Sequence, residues 1–241
     1  MRSAWLVGGM LVPGVASAAE PSLSQMSFAG TPLSMMGMLA VMSLLPFAVL
    51  MLTSFSKIAV VLSLARSAMG TQQAPPTLVL TGLAAVLSGH IMAPVMERMY
   101  DAGLAVYEDM GSGARILEGA GKVMEPLRAF LIKHGSPEER ARLVELAREL
   151  RPPEEAERVH EESLFVVVPA FVLTELKEAF QIGFLVFLPF LVLDMVVANV
   201  LLALGMQSLS PSQVSLPFKI LLFVAVDGWS LLARGLILGY R

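Results

Sequence analysis

The sequence contains no cysteine, which removes disulfide frameworks and thiolate metal sites together. Histidine is nearly as scarce. His90, His134 and His160 lie far apart and form no HExxH, so no zinc site is assembled from them. Neither a GxxxxGK(S/T) phosphate loop nor a GxSxG nucleophile turn occurs, leaving nucleotide hydrolysis and serine-hydrolase chemistry without a motif. Charge is scarce as well: 15% of the 241 residues are charged and 56% hydrophobic, where soluble domains carry about a quarter charged. A net charge of −3 offers no basic surface to nucleic acid. Together these absences predict a protein that is not an enzyme, with no metal, no cofactor and no nucleic-acid partner. They leave an all-α membrane protein as the default class.

What the chain has in abundance is long apolar runs. Residues 35–96 hold two of them, MMGMLAVMSLLPFAVLML from Met35 to Leu52 and LVLTGLAAVLSGHIMAPVM from Leu78 to Met96, each long enough for a membrane helix. Between them, TSFSKIAVVLSLARSAMG continues with helical character and puts Lys57 and Arg66 near the polar ends of an apolar patch; GTQQAPP then forms a turn. His90 reads as a packed, hydrogen-bonded residue. Residues 97–162 change character, with ten basic against fifteen acidic residues and amphipathic stretches such as PEERARLVELAREL, in which Leu143, Leu146, Ala147 and Leu150 share a face. Glu125-Pro126 and Arg151-Pro152-Pro153 supply breaks, giving a small subdomain of helical hairpins outside the membrane. Upstream, residues 1–18 carry Arg2, a short apolar core from Ala4 to Val12 and Ala16-Ser17-Ala18, the pattern of a secretory signal peptide; an uncleaved anchor is the alternative. Cleavage would put the mature N-terminus and the 97–162 subdomain on the outer side.

Residues 163–241 return to hydrophobic helices, and here the few charges become informative. A helix starting near Pro169 carries Glu175, Lys177 and Glu178, with Glu175 and Glu178 one turn apart on one face and Lys177 elsewhere, within reach of Gln181. The cluster reads either as a solvated collar or as salt bridges between neighbouring subunits, and its apolar flanks favour the second. From Gly183 to Leu204 the only charge is Asp194, which needs a partner or water at that depth; it either pins helix packing or serves transport directly. GMQSLSPSQVSLP, residues 205–217, is uncharged and proline-broken, a loop at membrane depth that must line a cavity or be buried in protein. The last segment carries Lys219 and Asp227, too far apart along a helix to pair. Each therefore meets a charge on another helix or chain, Asp194 being one candidate for Lys219, or lies at an interfacial end.

PAFVLTELKEAFQIGF followed by PFLVLDMVVANVLLALGM, together with FSKIAVVLSLARSAMGTQQAPP, HIMAPV and SLPFKILLFVAVDGW, resembles the inner-membrane export-gate proteins called FliP in flagella and SctR in type III secretion injectisomes. The resemblance implies an export-gate subunit in the bacterial inner membrane with a substantial periplasmic portion. It further implies several copies assembled with two smaller hydrophobic subunit families, FliQ/SctS-like and FliR/SctT-like, passing unfolded proteins through a gated channel. In such gates a methionine-rich loop forms a gasket, matched here by Met206, Gln207, Ser208 and Leu209. Gln207 and Ser208 depart from the fully methionine-rich version. Motifs such as KIAVVLSLARSAMGTQQAPP and LSPSQVSLPFK look closer to the injectisome branch, whereas the signal peptide is familiar from flagellar members. Without the resemblance, an ion-coupled small-solute transporter is the main rival, since it too combines intramembrane charges with broken helices.

Overall fold

Every regular element is α-helical among the residues that the computed structural model describes, namely 32–71, 73–109 and 116–241. The signal peptide expected at 1–18 lies outside the described residues. Residues 1–44 and 45–241 form two compact units. In the first, the described part is helix from residue 32 onward, the start of α1 (Pro32–Leu52), where Met35, Met36, Leu39 and Met42 are exposed. A helix apolar on every side is suited to lipid or to a protein interior.

In the second unit, α2 (Phe55–Ala68) is the central element. Its Ile58, Val61, Leu62 and Ala65 recur at helical spacing and are fully buried, the first three against α3 (Thr77–Asp109), α7 (Leu164–Ala203) and α9 (Gly228–Leu238). Gly183 of α7 sits so close to Leu64 that a Cβ there would overlap the leucine side chain, which is how the two backbones approach. Gly70, at φ 77°, ends α2 in the left-handed region that favours glycine.

α3 presents Leu80, Ala84, Leu87, Met92 and Val95 as one buried stripe. It does not stop where the charges begin. The expected boundary at residue 97 lies inside a helix that continues to Asp109, because MERMYDAGLAVYED contains no proline and Met99 still packs inward. Nor does Pro126 break α4 (Ile116–His134), whose Leu127, Phe130 and Leu131 bury against α3 and α7 and offset the missing backbone bond. Arg151-Pro152-Pro153 does separate α5 (Pro137–Glu149) from the short α6 (Pro153–Ala156). On α5 the inward face is Leu143, Val144 and Ala147, whereas Leu146 and Leu150, expected beside them, are exposed.

α7 begins at Leu164, ahead of the expected Pro169, and its 40 residues extend about 60 Å. It ends in a Schellman cap: Gly205, at φ 71°, donates to Leu202 O, and the Met206 amide donates to Leu201 O at 2.9 Å. The loop before α8 (Pro211–Ala225) is therefore confined to residues 205–210, shorter than the 205–217 expected, because Pro211 opens the next helix and Pro217 is carried inside it. α8 and α9 meet at a 57° bend where Asp227 adopts φ 51° and holds the position before α9 without a side-chain bond to the helix amides. Aspartate tolerates that left-handed backbone better than most residues. Three helices, α1, α3 and α7, are long and apolar enough to cross a membrane among the described residues, or four spans if the bent α8–α9 pair counts as one.

Candidate functional site

The charges scattered through the apolar sequence converge in two places. The first joins α2 to α7. Lys57 Nζ lies 2.8 Å from Glu175 Oε1 and 2.6 Å from Glu178 Oε2, with the Lys57 side chain 5% and that of Glu175 0% exposed. Tyr240, just beyond α9, donates its hydroxyl to Glu175 Oε2, and its ring centroid is 4.3 Å from Lys57 Nζ. Glu175 Oε1 lies outside hydrogen-bonding angles, so its approach to Lys57 is an ion pair rather than an aligned bond. A carboxylate with no solvent of its own is thus balanced by one ammonium and one phenol. The second carboxylate, on Glu178, is 46% exposed and shares the same ammonium.

Helical spacing explains this arrangement: Glu175 and Glu178 project from one side of α7, toward the face of α2 that carries Lys57. Lys57 therefore does not sit at a polar end, as its sequence position suggests, but within the core. The bridging expected between subunits at Glu175 and Glu178 is met inside one chain. Lys177 points away, is exposed, and reaches Glu139 of α5 at 3.8 Å rather than Gln181.

The second site joins α7 to α8. Lys219 Nζ is 2.6 Å from Asp194 Oδ2, and Ser215 Oγ lies 2.5 Å from Asp194 Oδ1. Ser215 and Lys219 are four residues apart on α8, so both reach the same carboxylate. Asp194 thus finds a partner in Lys219, one of the two outcomes that the sequence left open. Asp227 has no ion-pair partner among the described residues and is exposed at the α8–α9 bend.

A third buried polar group was not anticipated. Ser54 Oγ donates to Ser88 Oγ at 3.1 Å, and Ser88 Oγ to Thr53 Oγ1 at 3.3 Å, tying the start of α2 to α3. Ser88, seen in sequence only as a small residue, satisfies hydroxyls that would otherwise be stranded. His90, by contrast, is exposed on α3 rather than packed. Met206, Gln207, Ser208 and Leu209, expected from the resemblance to match a gasket loop, form an exposed turn, with the Met206 backbone pinned by the helix cap. Between α7, α8 and α9 lies a cavity of about 330 Å³ lined by Ile182, Phe190, Phe223, Leu231 and other apolar residues. No group of three or more metal-ligating side chains gathers among the described residues.

The fold and its membrane-length apolar helices define an all-α membrane protein in which Lys57, Glu175, Asp194 and Lys219 tie helices together. Its family follows from comparison with known proteins: the FliP family profile matches residues 38–236, and the chain belongs to the FliP family. It is 45% identical over 210 residues to the hypersensitivity response secretion protein HrcR of Ralstonia nicotianae, covering 86% of this chain and 97% of that one. It is 43% identical over 202 residues to the Yop proteins translocation protein R of Yersinia pestis, with 84% and 93% covered. The flagellar biosynthetic protein FliP of Caulobacter vibrioides is 44% identical over 207 residues, with 86% and 76% covered.

Proposed function

We propose that the chain is a core subunit of a type III protein export apparatus in the bacterial inner membrane. With further copies of itself and two smaller hydrophobic subunit families, FliQ/SctS-like and FliR/SctT-like, it forms a gated channel for unfolded proteins. The carrying observation is likeness at 43–45% identity, over more than four-fifths of the chain, to proteins named for secretion, translocation and flagellar biosynthesis. The injectisome is favoured over the flagellum on the motifs around Lys57–Pro76 and Leu209–Lys219, the overall identities being nearly equal. Large exposed apolar surfaces on α1, the second half of α7 and α8 support a subunit covered by lipid and other chains. Residues 97–162 belong on the periplasmic side in this reading. A small-solute carrier is not favoured, since Lys57, Glu175, Asp194 and Lys219 are engaged in pairs within the chain and the cavity between α7, α8 and α9 is apolar.

The decisive experiment deletes the gene and follows secretion of an injectisome substrate and of flagellar filament protein, complementing with wild type or Lys219→Ala. Loss of one class names the system; normal secretion of both refutes the reading. Met206 and Leu209 supply the apolar, deformable part of the gasket that closes the resting channel. Replacing both by glycine is expected to raise ion leakage, and unchanged leakage would remove that role.

A further inference from the structure

Where α3 passes from its apolar to its charged stretch, a second cavity of about 200 Å³ opens between α3, α4 and the chain end. Its floor and one wall are apolar, from Ile91, Val95 and Phe130. Its charged lining is cationic, from Arg98 and Lys133, with the His134 ring beside them, and no aspartate or glutamate lines it. That composition is unusual here, because the 97–162 region as a whole is acidic.

The cations are held in place. Arg98 Nε donates to Pro94 O at 3.0 Å, which ties the guanidinium back to the preceding turn of α3. Lys133 Nζ is 3.4 Å from Arg241 O. The His134 ring lies between Phe130 at 4.6 Å and Tyr240 at 5.0 Å, centroid to centroid. Burial first, then the neighbouring Lys133 and Lys57 cations, hold the His134 imidazole below its ordinary range, with Glu178 opposing. The Tyr240 hydroxyl is already committed to Glu175, so this residue offers the cavity only its ring.

We propose that this pocket binds a phosphate group, carried by the headgroup of an anionic phospholipid. A planar guanidinium and an ammonium converging on one small cavity are the donors a phosphodiester takes. The cavity straddles the change from the uncharged run that ends at Met96, which contributes Ile91 and Val95, to the charged stretch that begins at Glu97, which contributes Arg98, and such a change of polarity is where a headgroup meets its acyl chains. The apolar wall then accommodates the glycerol and upper acyl carbons.

The test uses the full chain in nanodiscs of phosphatidylcholine, alone or mixed with phosphatidylglycerol, and counts lipids retained after extraction by native mass spectrometry. Wild type is expected to retain phosphatidylglycerol over phosphatidylcholine. Arg98→Gln with Lys133→Gln should weaken that retention about tenfold or more, as loss of charge-assisted bonds implies. Lys122→Gln with Arg142→Gln removes the same charge from exposed positions elsewhere in the same region and should retain it. Displacement by millimolar inorganic phosphate keeps the phosphate site and moves its source from lipid to water. Equal retention of the two lipids, or equal loss in both double variants, overturns the proposal.

Discussion

The two halves of α7 are continuous in backbone and both mostly apolar, the first with three charges and the second with one, yet they live in different surroundings. From Leu164 to Gly183 the helix is wrapped by α2, α4 and α5, burying Val166, Val167, Ala170, Phe171 and Glu175. From Phe184 to Ala203 only Phe190 and Leu201 are buried, while Phe184, Leu185, Val192 and Met195 are exposed. The first half therefore owes its stability to tertiary packing, the second to lipid or to other chains. Apolar character alone does not distinguish a core helix from a membrane helix; the placement of charge does. Glu175 is sealed with two partners, Lys57 and Tyr240, whereas Asp194 keeps about a third of its side chain open.

Breaking the sealed cluster should have the largest effect. Lys57→Ala leaves Glu175 without its cation and is expected to destabilise the fold by about 3–5 kcal/mol, read as a lowered midpoint in detergent unfolding. Lys57→Met combined with Glu175→Leu should lose far less than the two single changes added together. Gly183→Ala, at the junction of the two halves, forces Leu64 aside and should destabilise by about 1–3 kcal/mol in the same assay. Asp194→Ala strands Lys219 and Ser215 in the open half; its expected effect is about 1–2 kcal/mol, reduced by solvent access to the pair. Should Asp194→Ala match Lys57→Ala, the distinction between the halves fails.

A smaller effect is expected from pH. Because His134 is held below its ordinary value of 6.5, the unfolded chain takes up a proton before the folded one. Its contribution is fully present above that value and declines as pH falls below it, so wild type should lose stability relative to His134→Phe between about pH 7 and 5. Arg142→Ala, breaking an exposed pair with Glu139, should change stability by less than about 0.5 kcal/mol.

Much of this was legible in the sequence. Membrane-length runs, the Asp194–Lys219 pair and the shared face of Glu175 and Glu178 follow from length, charge and helical period. Helix ends were less legible, because the onset of charge at Glu97 and the prolines at 126, 169 and 217 mark changes of solvent or local geometry rather than helix termini. Tyr240 was missed for a different reason. Its bond to Glu175 spans 65 residues, and no local pattern announces a contact at that separation. Ser215 did carry a signal, lying one turn before Lys219 on the face that must meet Asp194. Lys57 was misplaced because its apolar flanks read equally well as a membrane edge or as a core.

The bond between Tyr240 and Glu175 has a mechanical consequence. It makes the second half of α7, the 205–210 turn, α8 and α9 a closed circuit, latched at the level of Lys57. Tension applied at the turn is carried down both limbs to the latch, one limb being a continuous helix and the other bent at Asp227. The α8–α9 limb carries a 57° bend and the α7 limb carries Pro189 within its helix, so each limb has a point at which displacement is taken up before the latch is loaded.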